Sequence, residues 1–150
     1  MSDRLRLRAT HLEDMSVISS MTQDALVSVA DLSYDPSENS FTLVLNRFCW
    51  DKLQEKQQSG FSRSHSGLRF SDVEHVAYKG FNPKDTDTIL SLMAVAYSAF
   101  DDTKLQDAGY VVLQFAKDKA IRLKVKKLNA LLEDLGEAWF TDWMPGHEPD

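Results

Sequence analysis

At 150 residues, 43% hydrophobic and 27% charged, the chain is long enough to bury a core as a single domain, and its composition argues against disorder throughout. A net charge of −6 makes nucleic acid an unfavoured partner, and the lone cysteine excludes an internal disulfide or a thiolate metal cluster. The opening MSDRLRLRAT lacks the apolar core of a signal peptide, and no apolar run is long enough to cross a bilayer, so a cytoplasmic protein without membrane contact is expected.

In chain order, "LRLRAT" alternates as a half-buried strand, with Leu5 and Leu7 opposed to Arg4, Arg6 and Arg8. Thr10 and Glu13 read as a capping box for a helix that runs to about Ala25 through Leu12, Met15, Ile18 and Met21. "VSVADLSY" and "FTLVLNRFCW" then form a hairpin about the Pro36 turn. Residues 51–67 are polar and aperiodic and read as the longest loop, the segment expected to be most mobile. "LRF" and "VEHVAYKGF" are strands separated at Ser71-Asp72, and 88–100, "TILSLMAVAYSAF", reads as a strand, although Leu, Met and Ala keep a helix open there. "YVVLQFA" and "AIRLKV" make a second hairpin around Lys117-Asp118-Lys119. Leu128, Leu131, Leu132 and Leu135 fall at helical spacing, with Gly136 as the C-cap. The expected fold is α+β: a β-α unit, then an antiparallel meander of about seven strands curled into a partly open, pleckstrin-homology-like barrel, then a C-terminal helix. The core would span about 5–139 of one domain, 1–150, with an aromatic tail at 139–150.

"QDALVSVADLSY", "LNRFCW", "GYVVLQFAKDKAIRLKV" and "LEDLGEAW" resemble, in order, the landmarks of domain of unknown function 2948, an alphaproteobacterial family. The resemblance covers roughly Leu5 to Trp139 and implies a small bacterial cytoplasmic domain with no assigned activity. It also leads one to expect a charged residue where Cys49 stands and small residues at Lys117-Asp118.

Cys49, between Phe48 and Trp50, reads as a packed side chain. His11, His65, His75 and His147 lack the spacing of a metal site, and the glycines form no phosphate loop, so neither metal nor cofactor is expected. Two basic stripes stand out, Arg4-Arg6-Arg8 and Arg122-Lys124-Lys126, yet no aromatic alternates with them in sequence as a stacking platform requires. Polar residues within apolar landmarks are the other candidates: Gln23, Asp24, Asn46 and Arg47. Arg47 falls on the face of Phe41, Leu43 and Leu45 and needs a partner, for which Asp24 is the expected carboxylate. The tail carries Trp139, Phe140 and Trp143 beyond Gly136, an arm expected to reach a protein partner or a second copy. The leading function is a noncatalytic protein- or ligand-binding module. One alternative is a small enzyme whose site converges from Asp24, Arg47, His65 and His75; another is an anion- or RNA-binding protein using the basic strands, Arg122 and Lys124 among them.

Overall fold

A computed structural model describes residues 4–49, 61–104 and 106–136, and the backbone of 139–141. Among these residues ten strands and one helix follow in the order β1 (Arg6–Ala9), α1 (Leu12–Met21), β2 (Leu26–Asp35), β3 (Ser40–Phe48), β4 (Phe61–Phe70), β5 (Val73–Lys79), β6 (Ile89–Ala99), β7 (Gly109–Phe115), β8 (Lys119–Val125), β9 (Ala130–Asp134) and β10 (Trp139–Thr141). The fold is α+β with an antiparallel sheet. Its path runs β1-β9-β4-β3-β2-β6-β7-β8-β5, with β10 added to β4. The strands do not close into a ring, and a pleckstrin-homology-like barrel is not confirmed.

The expected single meander is two. β2-β3-β4 and β6-β7-β8 are each consecutive hairpins, and the first turn of β2 joins them. Leu26 and Val27 pair with β3 on one side, and Leu26 to Ser28 pair with β6 on the other. The register with β3 then jumps from Val27–Leu45 to Leu32–Leu43, so Ser28 to Asp31 stand opposite Val44 alone. A bulge of that size bends the strand sharply, and here the sheet divides into two halves. A second bend lies at Ser71-Asp72, where Asp72 is left-handed (φ 57°) and sends β5 to the far half. Its carbonyl accepts from the Lys126 amide at 3.0 Å, while Ser71 donates to Asn129 at 2.9 Å. The two crossings between the halves are thus bonded side by side.

One core fills the space between them. Phe41, Leu43 and Leu45 of β3 meet Leu90, Leu92, Val95 and Tyr97 of β6 and Val111, Leu113 and Phe115 of β7 in a single buried cluster. β6 keeps its apolar face inward by a bulge between Leu92 and Ala94, which leaves Met93 exposed and returns Val95 to the core. The strand reading of 88–100 therefore holds, with a change of parity that simple alternation does not show. Met15 and Ile18 bury one side of α1, and the Ser19 hydroxyl accepts from the Val95 amide at 3.0 Å just past the bulge.

Four expectations need correction. Where the C-terminal helix was expected, Ala130–Asp134 is a strand between β1 and β4. Leu128, Ala130, Leu132 and Asp134 are buried and Leu135 is exposed, a period of two concealed by a carboxylate in an apolar position. The helix cap lies one residue later, because the Asp14 carboxylate accepts from the Thr10 and His11 amides, each at 3.2 Å, while Glu13 is exposed. The helix stops at Met21, since left-handed Asp24 (φ 63°) turns the chain and its amide bonds the Leu92 carbonyl. The polar loop is also shorter, with β4 beginning at Phe61; the expectation for 51–60 lies outside the described residues.

The β7–β8 turn, three residues between the paired Phe115 and Lys119, places both Lys117 (φ 65°) and Asp118 (φ 59°) in the left-handed region. Neither side chain favours that conformation, which costs an L-residue about 1–2 kcal/mol relative to the right-handed one. Replacing the pair with Asn-Gly is expected to raise unfolding stability by about 1 kcal/mol or more, measured by urea denaturation.

Candidate functional site

The outward face of the second half is assembled from the β5–β8–β7–β6 registers. His75 lies opposite Lys124, which lies opposite Tyr110, which lies opposite Ser98. The next row is Ala77, Arg122, Val112 and Ala96, and the third is Lys79, Ala120, Gln114 and Ala94. None of these positions is acidic; the nearby carboxylates sit at the margin, Glu74 in the β5 bulge, Asp118 in the turn, and Asp101, Asp102 and Asp107 in the β6–β7 connection. Lys79, Arg122 and Lys124 are exposed, and no carboxylate among the described residues pairs with them. Arg122 instead lies over the Tyr110 ring, 4.3 Å from its centroid, and Phe100 meets that ring edge-on at 4.9 Å. A cation held against a ring keeps its charge and loses freedom, which lowers the ordering cost of receiving an anion. An open depression of about 370 Å³ lies along Ala77, Tyr78, Lys79, Val112, Gln114, Ala120 and Arg122.

The aromatic company that the sequence lacks along β8 is supplied by the neighbouring strand. The signal was present in the second hairpin: a three-residue loop, Ala116 to Asp118, between the paired Phe115 and Lys119 fixes the register and sets Tyr110 opposite Lys124. Sequence reasoning named Arg122 and Lys124 and missed Lys79, His75, Tyr110 and Phe100 as members of the face.

The other basic stripe is matched locally. Arg6 pairs with Glu133 at 3.2 Å, and Arg8 donates to the Asn129 side chain at 2.9 Å.

Arg47 is fully buried, and its partner is Asp134, not Asp24. Its Nε donates to Asp134 Oδ1 and its Nη2 to Oδ2, both at 3.0 Å, with the Ser66 hydroxyl donating to Oδ1 at 2.6 Å. The Leu5 amide completes the carboxylate at 2.9 Å. Burial alone would raise the Asp134 pKa, but these hydrogen bonds and the Arg47 charge hold it below the ordinary value of 3.8. Asp24 is half-buried near Arg63 instead. Desolvation presses the Arg63 pKa down, while Cys49 and Asp24 nearby push it back up. Arg63 also holds Asn46, donating to its side-chain oxygen at 2.6 Å and its carbonyl at 3.0 Å. Gln23 is exposed at the end of α1. Cys49 is buried, as expected of a packed thiol.

The residues of the enzyme alternative do not converge. Arg47 points into the core, and His65 lies on the opposite, outward face of the same half. His75 belongs to β5, at the far end of the strand path. Among the described residues no group of three or more His, Cys, Asp or Glu is placed to hold a metal. The tail is not a free arm from Gly136 onward, because Trp139–Thr141 pair with Phe61–Arg63 of β4; Trp143 lies outside the described residues.

Among the described residues, an open antiparallel sheet with one helix, a single core and a cation-lined outer face defines a small α+β domain. The chain belongs to the family described as Protein of unknown function (DUF2948), whose model matches residues 5–147. No curated protein and no solved structure matches it. No helix among the described residues is long and apolar enough to cross a membrane.

Removing one member of a buried ion pair strands the other. Asp134→Ala is expected to cost about 3–5 kcal/mol in urea unfolding, whereas Arg47→Met with Asp134→Leu recovers most of it. The lowered Asp134 pKa also fixes an acid dependence. The folded state binds this proton less readily than the unfolded chain, so the contribution is complete above 3.8 and is lost as pH falls through the lower folded value. Stability measured from about pH 5 to pH 2 should therefore fall, with a shallower acid slope in the Arg47→Met/Asp134→Leu protein.

Proposed function

We propose that this domain is a noncatalytic binding module that receives an anionic partner on the outward β5–β8–β7–β6 face. The observation that carries the reading is the grouping of Lys79, Arg122 and Lys124 on one flat face with no paired carboxylate, in a chain of net charge −6. Cations concentrated in this way favour a local anion over a long polyanion, whose charge would also meet the acidic remainder of the molecule. Small residues at Ala77, Ala94, Ala96 and Ala120 leave the face open to a ligand that lies flat on it. The tail ranks below the face as a contact, because the backbone of Trp139–Thr141 is already engaged by β4. The reading keeps the bacterial, cytoplasmic setting expected from the sequence, in which a lone cysteine stays reduced.

Fluorescence anisotropy with a labelled short oligo-L-glutamate tests it. The wild-type protein should bind in a salt-sensitive way, and Arg122→Glu with Lys124→Glu should weaken binding about tenfold or more. Arg6→Glu with Arg8→Glu makes the same change of net charge on β1 and should have less than about a twofold effect. Equal losses in the two variants, or no binding by the wild type, overturn the proposal.

A further inference from the structure

We infer that β5 accepts an extended peptide as an added strand, and that the peptide carries carboxylates at every second residue with apolar side chains between them. The inference rests on the anionic-partner reading and specifies its chemistry.

Among the described residues β5 ends the strand path and pairs with β8 alone. Other bonds to it gather at its first two residues, where the Val73 amide donates to the Asn39 carbonyl at 2.8 Å and the Tyr34 hydroxyl to the Glu74 carbonyl at 3.4 Å. From His75 to Lys79 the strand offers its outer edge. Strand addition uses such an edge: main-chain bonds supply affinity, and alternate side chains supply specificity.

The side chains of this edge divide by face. Outward are His75, Ala77 and Lys79, and inward are the half-buried Val76 and Tyr78, with Phe81 meeting the Tyr78 ring edge-on at 5.7 Å. A strand laid at about 4.8 Å from β5 places every second side chain on each face. Its outward carboxylates would run beside His75 and Lys79 and reach across small Ala77 toward Arg122, which lies opposite it on β8. Its inward apolar groups would cover Val76, Tyr78 and Phe81.

A second copy of the chain is a poorer occupant, because two β5 edges brought together would join one basic outward face, with its Lys79 and Arg122, to another of the same sign. A nucleic acid strand is also a poorer one. Its bases need open ring faces, but Arg122 covers Tyr110, and Phe100 is followed directly by Asp101 and Asp102.

The test uses the full chain and a fluorescein-labelled peptide of about eight alternating Glu and Val residues, long enough to cover β5. Hydrogen exchange should show new protection of the amides in 75–79 on binding. Alternate backbone N-methylation of the peptide, and a block arrangement of the same residues, should each weaken binding about tenfold or more. If both altered peptides bind as well as the first while Arg122→Glu with Lys124→Glu still abolishes binding, the added strand is wrong and the anionic-face reading stands. If an oligothymidylate binds more tightly than the alternating peptide, the partner class is wrong. If no anionic probe binds, both readings fall.

Discussion

Everything in the first half of the sheet is arranged around one buried carboxylate. Asp134 takes bonds from Arg47 on β3, Ser66 on β4 and the Leu5 amide beside β1, while its own amide bonds the Leu5 carbonyl at 2.9 Å. An ion pair so fully removed from water gains little net stability, because desolvation of both charges offsets most of their attraction. Its contribution is register. A slip of β9 by one residue against β4 would move Asp134 to the outward face and leave the Arg47 charge without its partner, a penalty no leucine contact in the same strand imposes. The short β9 therefore has a single acceptable position, and β1, which pairs with it, inherits that position.

The second half depends on a different constraint. Its strands are buried on the inward side only, so their outward residues are free to be selected for something other than packing. Ala77, Ala94, Ala96, Ala120 and Ser98 are small, and Lys79, Arg122, Lys124 and Tyr110 stand among them beside His75, Val112 and Gln114. The bulged β2 is what makes the two halves separate surfaces: below the bulge they share a strand, and above it they face each other across the core. A flatter junction would have put the basic rows of β8 on the same continuous face as Arg69 and Glu133, where neutralisation across strands would blunt them.

Much of this was legible in the residues and some was not. The alternation in 5–8, 40–48 and 119–125 reported strands and their inward faces directly, because apolar and polar residues occupied separate faces. Arg47 was recognisable as a buried charge by the same rule, but its partner stands 87 residues away and no local pattern connects them. Asp134 misled in its own right, since a carboxylate among leucines breaks a two-residue period and leaves helical spacing as the simpler fit. Met93 shows the related difficulty of bulges, where one extra residue reverses parity and the sequence carries no mark of it. The face at β8 was half readable: the charges lie along one strand, whereas their aromatic companions come from β7 and become neighbours only through pairing.

The position of β9 between β1 and β4 has a consequence for the order in which the molecule can be completed. A ribosome releases β1 first and β9 nearly last, so the opening strand waits for its neighbour through most of synthesis. Until then β4 is open on one side, and Arg47 is already present without the carboxylate that neutralises it. Pairings between distant parts of a chain close slowly. In the nascent protein the first half is thus an unfinished sheet until β9 is released, and the Arg47 guanidinium keeps its water until that strand brings the carboxylate.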